Sequence, residues 1–241
     1  MESQILASVI RGETVESVHH GHLIVLDGTG NTVASFGNPE TVTFFRSACK
    51  PIQAIPLITT GAADRFGFSE DEIALACASH SGEEIHVRTA ARMLKKIGLA
   101  ESDLRCGAHL PFYEKAAERM LRSGEEPTQL HNNCSGKHAA MLAVAKQLGA
   151  DIESYERCDN PVQLAILDAI AEFAEVPKES IAIGIDGCAA PNFAMPLSAM
   201  ATSFLNLINP PERFDSAART ACRRIVNAMI KHPELIGGTE R

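Results

Sequence analysis

An α+β fold, with helices packed on a mostly antiparallel sheet, follows from three observations. Strand-like runs over residues 4–11 and 17–26 are followed by the turn Asp27-Gly28-Thr29-Gly30 and a returning strand from Thr32 to Phe36. That order reads as a hairpin. Helical patterns then dominate the middle of the chain, opened by capping residues and stopped by glycines. Far along the chain, the all-apolar run from Ile181 to Ile185 reads as a short buried strand. Strands early, helices between and a strand late suit layered α+β packing. Gly28-Thr29-Gly30 is not a dinucleotide fingerprint, since the third glycine is missing and no helical pattern follows.

The helices have separate local signals. From Ser47 to Thr60 the pattern is helical, with Pro51 tolerated in the first turn and Pro56 predicting a kink or an early end. Ser69-Glu70-Asp71-Glu72 is a capping box for a helix over 70–77. Ser81-Gly82-Glu83-Glu84 is a second, with Ser81 as cap of a helix over 82–97 and Gly98 as its stop. A further helix runs from Phe112 to Arg122. An Ala-rich one covers 135–148, ending at Gly149. Asn160-Pro161 supplies the N-cap and first position of a helix to about Glu175. Two more run from Leu197 to Leu207 and from Arg213 to Lys231. No repeat or low-complexity linker divides residues 1–241, which read as a single domain. The hairpin strands have few partners in a sequence ending Gly237-Gly238-Thr239-Glu240-Arg241, so the sheet is expected to lack its C-terminal part.

Composition narrows the function. At 241 residues and 45% apolar, the chain can bury a sizeable core. Aromatics at 5% and no Trp make that core one of Ala, Leu, Ile and Val. A net charge of −8, with no Lys/Arg run longer than a pair, excludes the basic face that nucleic-acid binding needs. Met1-Glu2-Ser3-Gln4 has neither the positive region nor the apolar run of a signal peptide, and no apolar stretch is long enough to span a membrane. Seven cysteines, an odd number spread along the chain, then read as free thiols or metal ligands in a cytoplasmic protein.

Four loops gather reactive residues. In Arg46-Ser47-Ala48-Cys49-Lys50-Pro51, Ser47 and Lys50 are three apart, neighbours on one face of a starting helix. A buried, neutral lysine can take the serine proton, and Ser-x-x-Lys is the nucleophile motif of serine β-lactamases and penicillin-binding proteins. The ordinary alternative is a capping serine and a solvated lysine. Ser79 stands where a proton-relay serine would be useful, or merely bonds local backbone; His80 is expected to face solvent or a neighbouring carbonyl. Cys134 and Lys137 at a helix start, with Cys188 after a strand, are either a thiolate-rich metal site or buried cysteines with a solvated lysine. Asp186 is placed to meet a substrate ammonium or to close its own turn, and Arg46 to meet a substrate carboxylate or form a surface ion pair. Cys49, Cys77, Cys106, Cys158 and Cys222 read as core thiols.

Five segments in order then carry a resemblance. Phe45-Arg46-Ser47-Ala48-Cys49-Lys50-Pro51-Ile52-Gln53, Ala78-Ser79-His80-Ser81-Gly82-Glu83, Cys106-Gly107-Ala108-His109-Leu110-Pro111, His131-Asn132-Asn133-Cys134-Ser135-Gly136-Lys137-His138 and Asp186-Gly187-Cys188-Ala189-Ala190-Pro191 together resemble the rhizobial-type (thermolabile, class 3) L-asparaginases. The resemblance implies a fold of the serine β-lactamase and glutaminase kind and hydrolysis of L-asparagine. It implies Ser47 as nucleophile, Lys50 as its activator and Ser79 as the serine of a second Ser-Lys pair. It implies zinc on Cys134, Lys137, Cys188 and a water, with Arg46 and Asp186 lining the substrate pocket, in a homodimer. Family members continue past Pro233-Glu234-Leu235-Ile236-Gly237-Gly238, and the continuation carries the lysine that partners the second serine. The alternatives are a related acyl-serine amidohydrolase, such as a glutaminase, or a non-catalytic zinc- or ligand-binding remnant. No Lys-Thr-Gly triplet supports a β-lactamase.

Overall fold

The computed structural model describes residues 3–239; Met1, Glu2, Glu240 and Arg241, on which the readings of the two chain ends partly rest, lie outside the described residues. Strand β1 (Gln4–Arg11) pairs antiparallel with β2 (Thr14–Gly21), with register shifts between Ile5 and Ala7 and between Val9 and Ile10. β3 (Leu23–Leu26) pairs with β4 (Thr32–Phe36). Their turn is closed by Asp27, whose Oδ1 accepts the N–H groups of Thr29 and Asn31 at 2.8 and 3.0 Å. The expected hairpin is therefore present, but the run 17–26 is divided at His22. Its Nδ1 accepts the Asn38 N–H at 2.9 Å and fixes the chain there. Gly37, at φ +70°, lies so close that a Cβ would come 2.4 Å from that ring nitrogen.

The third sheet contains β5 (Val42–Phe44), β6 (Ala182–Ile185) and β7 (Pro191–Pro196), in the order β5-β7-β6 and antiparallel throughout. The fold is α+β, but the one sheet expected is three antiparallel pieces among the described residues. Strand β6 is an edge, not a buried strand: Ile183 is 44% and Ile185 65% exposed. An unbroken apolar run does not say which side will be covered. The covered strand is the central β7, buried from Pro191 to Met195, whose terminal prolines hide it from sequence reading.

A 3-10 turn (Arg46–Cys49) runs into α1 (Lys50–Gln53), and α2 (Ile55–Thr59) follows after a break at Ala54. This is the interruption that Pro56 predicts. Next come α3 (Ala62–Arg65) and α4 (Glu70–Ala76), the latter with the expected capping box, Ser69 N–H to Glu72 Oε2 at 2.8 Å. Helix α5 (Glu84–Lys96) starts two residues later than predicted, capped by Glu83 instead of Ser81. The Ser81 hydroxyl donates to the Glu83 carboxylate at 2.8 Å. Then follow α6 (Glu114–Ser123), α7 (Ser135–Leu148) and α8 (Pro161–Ala174), where the Asn160 side chain accepts the Val162 N–H at 3.0 Å. α9 (Leu197–Ile208), α10 (Ser216–Lys231) and α11 (Pro233–Gly237) complete the described chain. The cap of α10 is Asp215, two residues after the predicted start.

Helix α7 is the centre. Every residue from Ser135 to Ala145 is buried, so the helix is covered on all sides. Helices α2, α3, α4, α5 and α8 pack around it. Its alanines allow close approach, and Gly136 is required by it: a Cβ there would come 2.5 Å from the Leu75 carbonyl oxygen. The seven cysteines are unpaired, and all but Cys158 are buried. Cys158 is exposed because it lies in the loop between α7 and α8, outside the core it was expected to join.

Candidate active site

The site begins at a backbone irregularity. Arg46 has φ 56°, the left-handed region that a non-glycine residue enters at a cost of about 1 kcal/mol or more. Its N–H donates to Asn192 Oδ1 at 3.1 Å, and the same oxygen accepts the Phe193 N–H at 3.0 Å. Phe45 N–H donates to the Phe193 carbonyl at 2.8 Å. The buried strand β7 thus holds the bend that presents Ser47, which is exposed. One turn on, Lys50 is only 1% exposed, and its N–H bonds to the Ser47 carbonyl. Burial lowers the Lys50 pKa, the Cys134 sulfur pulls it part of the way back, and the nearby Lys137 lowers it again. The amine therefore gives up its proton more readily than an ordinary lysine, as a base must. Its Nζ donates to the Asn133 carbonyl at 3.2 Å.

Ser79, half-buried after α4, accepts a hydrogen bond from Asn133 Nδ2 at 2.9 Å. The bond is to a side chain, not only to local backbone. His80 differs from expectation. It is fully buried, its Nδ1 accepts the Gly82 N–H at 3.2 Å, and its Nε2 lies 2.9 Å from the Ser135 hydroxyl. The Nδ1 bond leaves the ring proton on Nε2, which donates to Ser135; that hydroxyl donates to the Leu130 carbonyl at 3.0 Å. Burial, with the neighbouring His86, keeps His80 well below its usual pKa, so it is a neutral brace between two loops.

Cys134, Lys137 and Cys188 come together in the core. Lys137 Nζ donates to Cys188 Sγ at 3.2 Å. The two sulfurs share one negative charge: Cys188 donates to Cys134, pulling Cys134 down to about 5 and pushing Cys188 up. Burial works against the charge of Lys137, but Cys134 and Cys188 outweigh it and raise its pKa. Beside them, burial lowers His138 to about 4. The Tyr155 hydroxyl accepts the Arg105 N–H at 2.9 Å and lies 2.6 Å from His138 Nδ1, so its proton goes to that nitrogen. His138 Nε2 then carries the ring hydrogen with no partner of normal geometry, the Cys188 sulfur being its interacting neighbour. Among the described residues no three His, Cys, Asp or Glu side chains form a metal cluster. A metal here would need the Lys137 nitrogen.

Asp186 closes its own turn and pairs with Arg46. Its Oδ1 accepts the Gly187 N–H at 2.9 Å and lies 3.7 Å from Arg46 Nη1. The pair is exposed on the arginine side, where an ion pair is worth about 0–1 kcal/mol. Its charges therefore remain open to other partners. Seven of the eight predicted residues thus fall into three groups, Arg46 with Asp186, Lys50 and Ser79 joined through Asn133, and Lys137 with the two cysteines, while Ser47 meets Lys50 through its backbone carbonyl. Asn133 and Asn192 escaped the sequence reading, because neither has reactive chemistry and an Asn before a helix reads as a cap.

Among the described residues no helix is long and apolar enough to cross a membrane. No curated protein matches the sequence. The family model described as L-asparaginase II matches residues 7–241, nearly the whole chain and all five quoted segments. The chain belongs to the L-asparaginase II family.

Proposed function

We propose that this protein hydrolyses L-asparagine to L-aspartate and ammonia through a Ser-Lys nucleophile, as in the rhizobial-type L-asparaginases it resembles. The observation that carries this reading is an exposed Ser47 one turn before a buried Lys50 of lowered pKa. Lys50 accepts the Ser47 proton. Ser47 Oγ attacks the side-chain amide carbon, and the amide π electrons move to the oxygen. Backbone donors at the bend meet the developing oxyanion. Collapse of this intermediate breaks the C–N bond, and the departing nitrogen takes the proton held by Lys50 by way of Ser79. Water then gives a proton to the again neutral Lys50 as it attacks the aspartyl ester, the ester C–O bond breaks, and Ser47 Oγ takes that proton back. Arg46 meets the substrate carboxylate and Asp186 its ammonium.

Zinc fits the Cys134, Lys137 and Cys188 donor set. Two soft sulfurs already share a negative charge, which also holds the Lys137 proton, so a metal here would have to displace that proton. His138 Nε2–H, buried near Cys188 without a partner of normal geometry, suits the outer support that metal sites use. Bound there, zinc would supply positive charge and brace the start of α7 against the loop after β6.

Ammonia release from L-asparagine and from L-glutamine, together with the colour change on ring opening of a chromogenic β-lactam, tests the reading. Asparagine turnover that disappears in Ser47→Ala is the expected result. Turnover unchanged in that variant, or preference for another substrate, would overturn it.

A further inference from the structure

We infer that Asn133 is a positioning residue that couples Lys50 to Ser79, its backbone carbonyl holding the amine and its side-chain amide holding the hydroxyl. The inference rests on the hydrolase reading above.

Asn133 sits two residues before the start of α7 and bonds in four directions. Its carbonyl accepts Lys50 Nζ and the His80 N–H, each at 3.2 Å. Its Nδ2 donates to Ser79 Oγ at 2.9 Å. Its own N–H donates to His109 Nε2 at 3.1 Å. His109 Nδ1 lies 2.7 Å from the Leu110 carbonyl, an acceptor only, so Nδ1 carries the ring hydrogen and Nε2 offers a lone pair. Asn133 Oδ1 lies 3.4 Å from that same nitrogen, too far for a useful bond. The backbone of Asn133 is thus clamped between His109 and His80, and a clamped backbone fixes where both of its functional contacts point.

The consequence for proton transfer is specific. A hydroxyl that accepts from Asn133 keeps its own hydrogen for another partner, as a relay to a leaving amine requires. Lys50, tied to the carbonyl of the same residue, is set in a fixed relation to that relay. Because the Lys50 tether is backbone, substitution of Asn133 removes only the Ser79 tether.

The test is a double-mutant cycle between Asn133→Ala and Ser79→Ala, read as kcat and KM for asparagine. Asn133→Ala should lower kcat by about ten- to a hundredfold, with KM changed by less than about twofold. In the Ser79→Ala background it should cost nothing further, since the partner it positions is gone. Asn133→Asp keeps the shape but removes the donor, and should match Asn133→Ala; it serves as the second variant should the alanine protein fold poorly. Losses that multiply, or a rise in KM at unchanged kcat, would overturn the inference. A parallel measurement separates this from failure of the hydrolase reading. If neither asparagine turnover nor the p-nitrophenyl acetate burst depends on Ser47, both readings fall. If either depends on Ser47 and the losses in it multiply, the role of Asn133 alone falls.

Discussion

Lys137 Nζ donates to Cys188 Sγ at 3.2 Å inside the core, joining residues 51 positions apart. A buried cation and a shared thiolate charge stabilise each other only as a pair, and removing one partner strands the other.

Lys137→Met should therefore lower the unfolding free energy by about 3 kcal/mol, read as a lower urea midpoint at unchanged slope. The same substitution should abolish zinc retention through gel filtration, as should Cys134→Ser. Retention of zinc by both variants would place the metal elsewhere.

The lowered Lys50 pKa sets the direction of the pH–rate profile. Activity should rise with pH as Lys50 loses its proton, and reach half its plateau below the ordinary lysine value of 10.5. Lys50→Arg should not restore activity, since a guanidinium keeps its proton; a loss of about a thousandfold or more in kcat is expected. An unchanged profile in that variant would remove Lys50 from the role of base.

His80 and His86 predict acid sensitivity. Burial lowers both below the ordinary 6.5, so the folded protein holds them neutral while the unfolded chain takes up protons. Each Nδ1 accepts a backbone N–H, from Gly82 and Glu83 respectively, which a proton there would break. Stability is fully present above about pH 6.5 and falls as pH drops toward the folded values, by at most about 1.4 kcal/mol per pH unit per group. Urea unfolding at several pH values should show that slope, and His80→Gln should flatten it.

Gly136 tests the packing account. A helical Gly→Ala exchange normally stabilises by about 1 kcal/mol. Here the added Cβ meets the Leu75 carbonyl at 2.5 Å, and overpacking at about 1–3 kcal/mol reverses the sign. A thermal midpoint below that of the unaltered protein is expected.

Helix α7 was legible to the residue because its pattern is unbroken and Gly149 stops it in a left-handed conformation. The break before Pro56 and the Asn160 cap were legible for the same local reasons. Ser47 and Lys50 were found because their chemistry and their spacing are both local. Asn133 and Asn192 were not, since their contacts with Lys50 and Arg46 span 83 and 146 positions and depend on tertiary packing. Ser81 was misread as a cap because the chain stays non-helical as far as Glu83, two residues on, which is the N-cap and whose N–H donates to His86 Nδ1. Burial of β6 was misjudged because the apolar content of a strand does not reveal which of its neighbours lies centrally.

The central claim is that Ser47 forms a covalent acyl intermediate with asparagine. Rapid quench of the protein with L-asparagine, followed by peptide mass spectrometry, tests it most directly. The account predicts an aspartyl adduct on the peptide carrying Ser47, absent in Ser47→Ala along with ammonia release. Ammonia released at the same rate by Ser47→Ala, with no adduct on either protein, would contradict it.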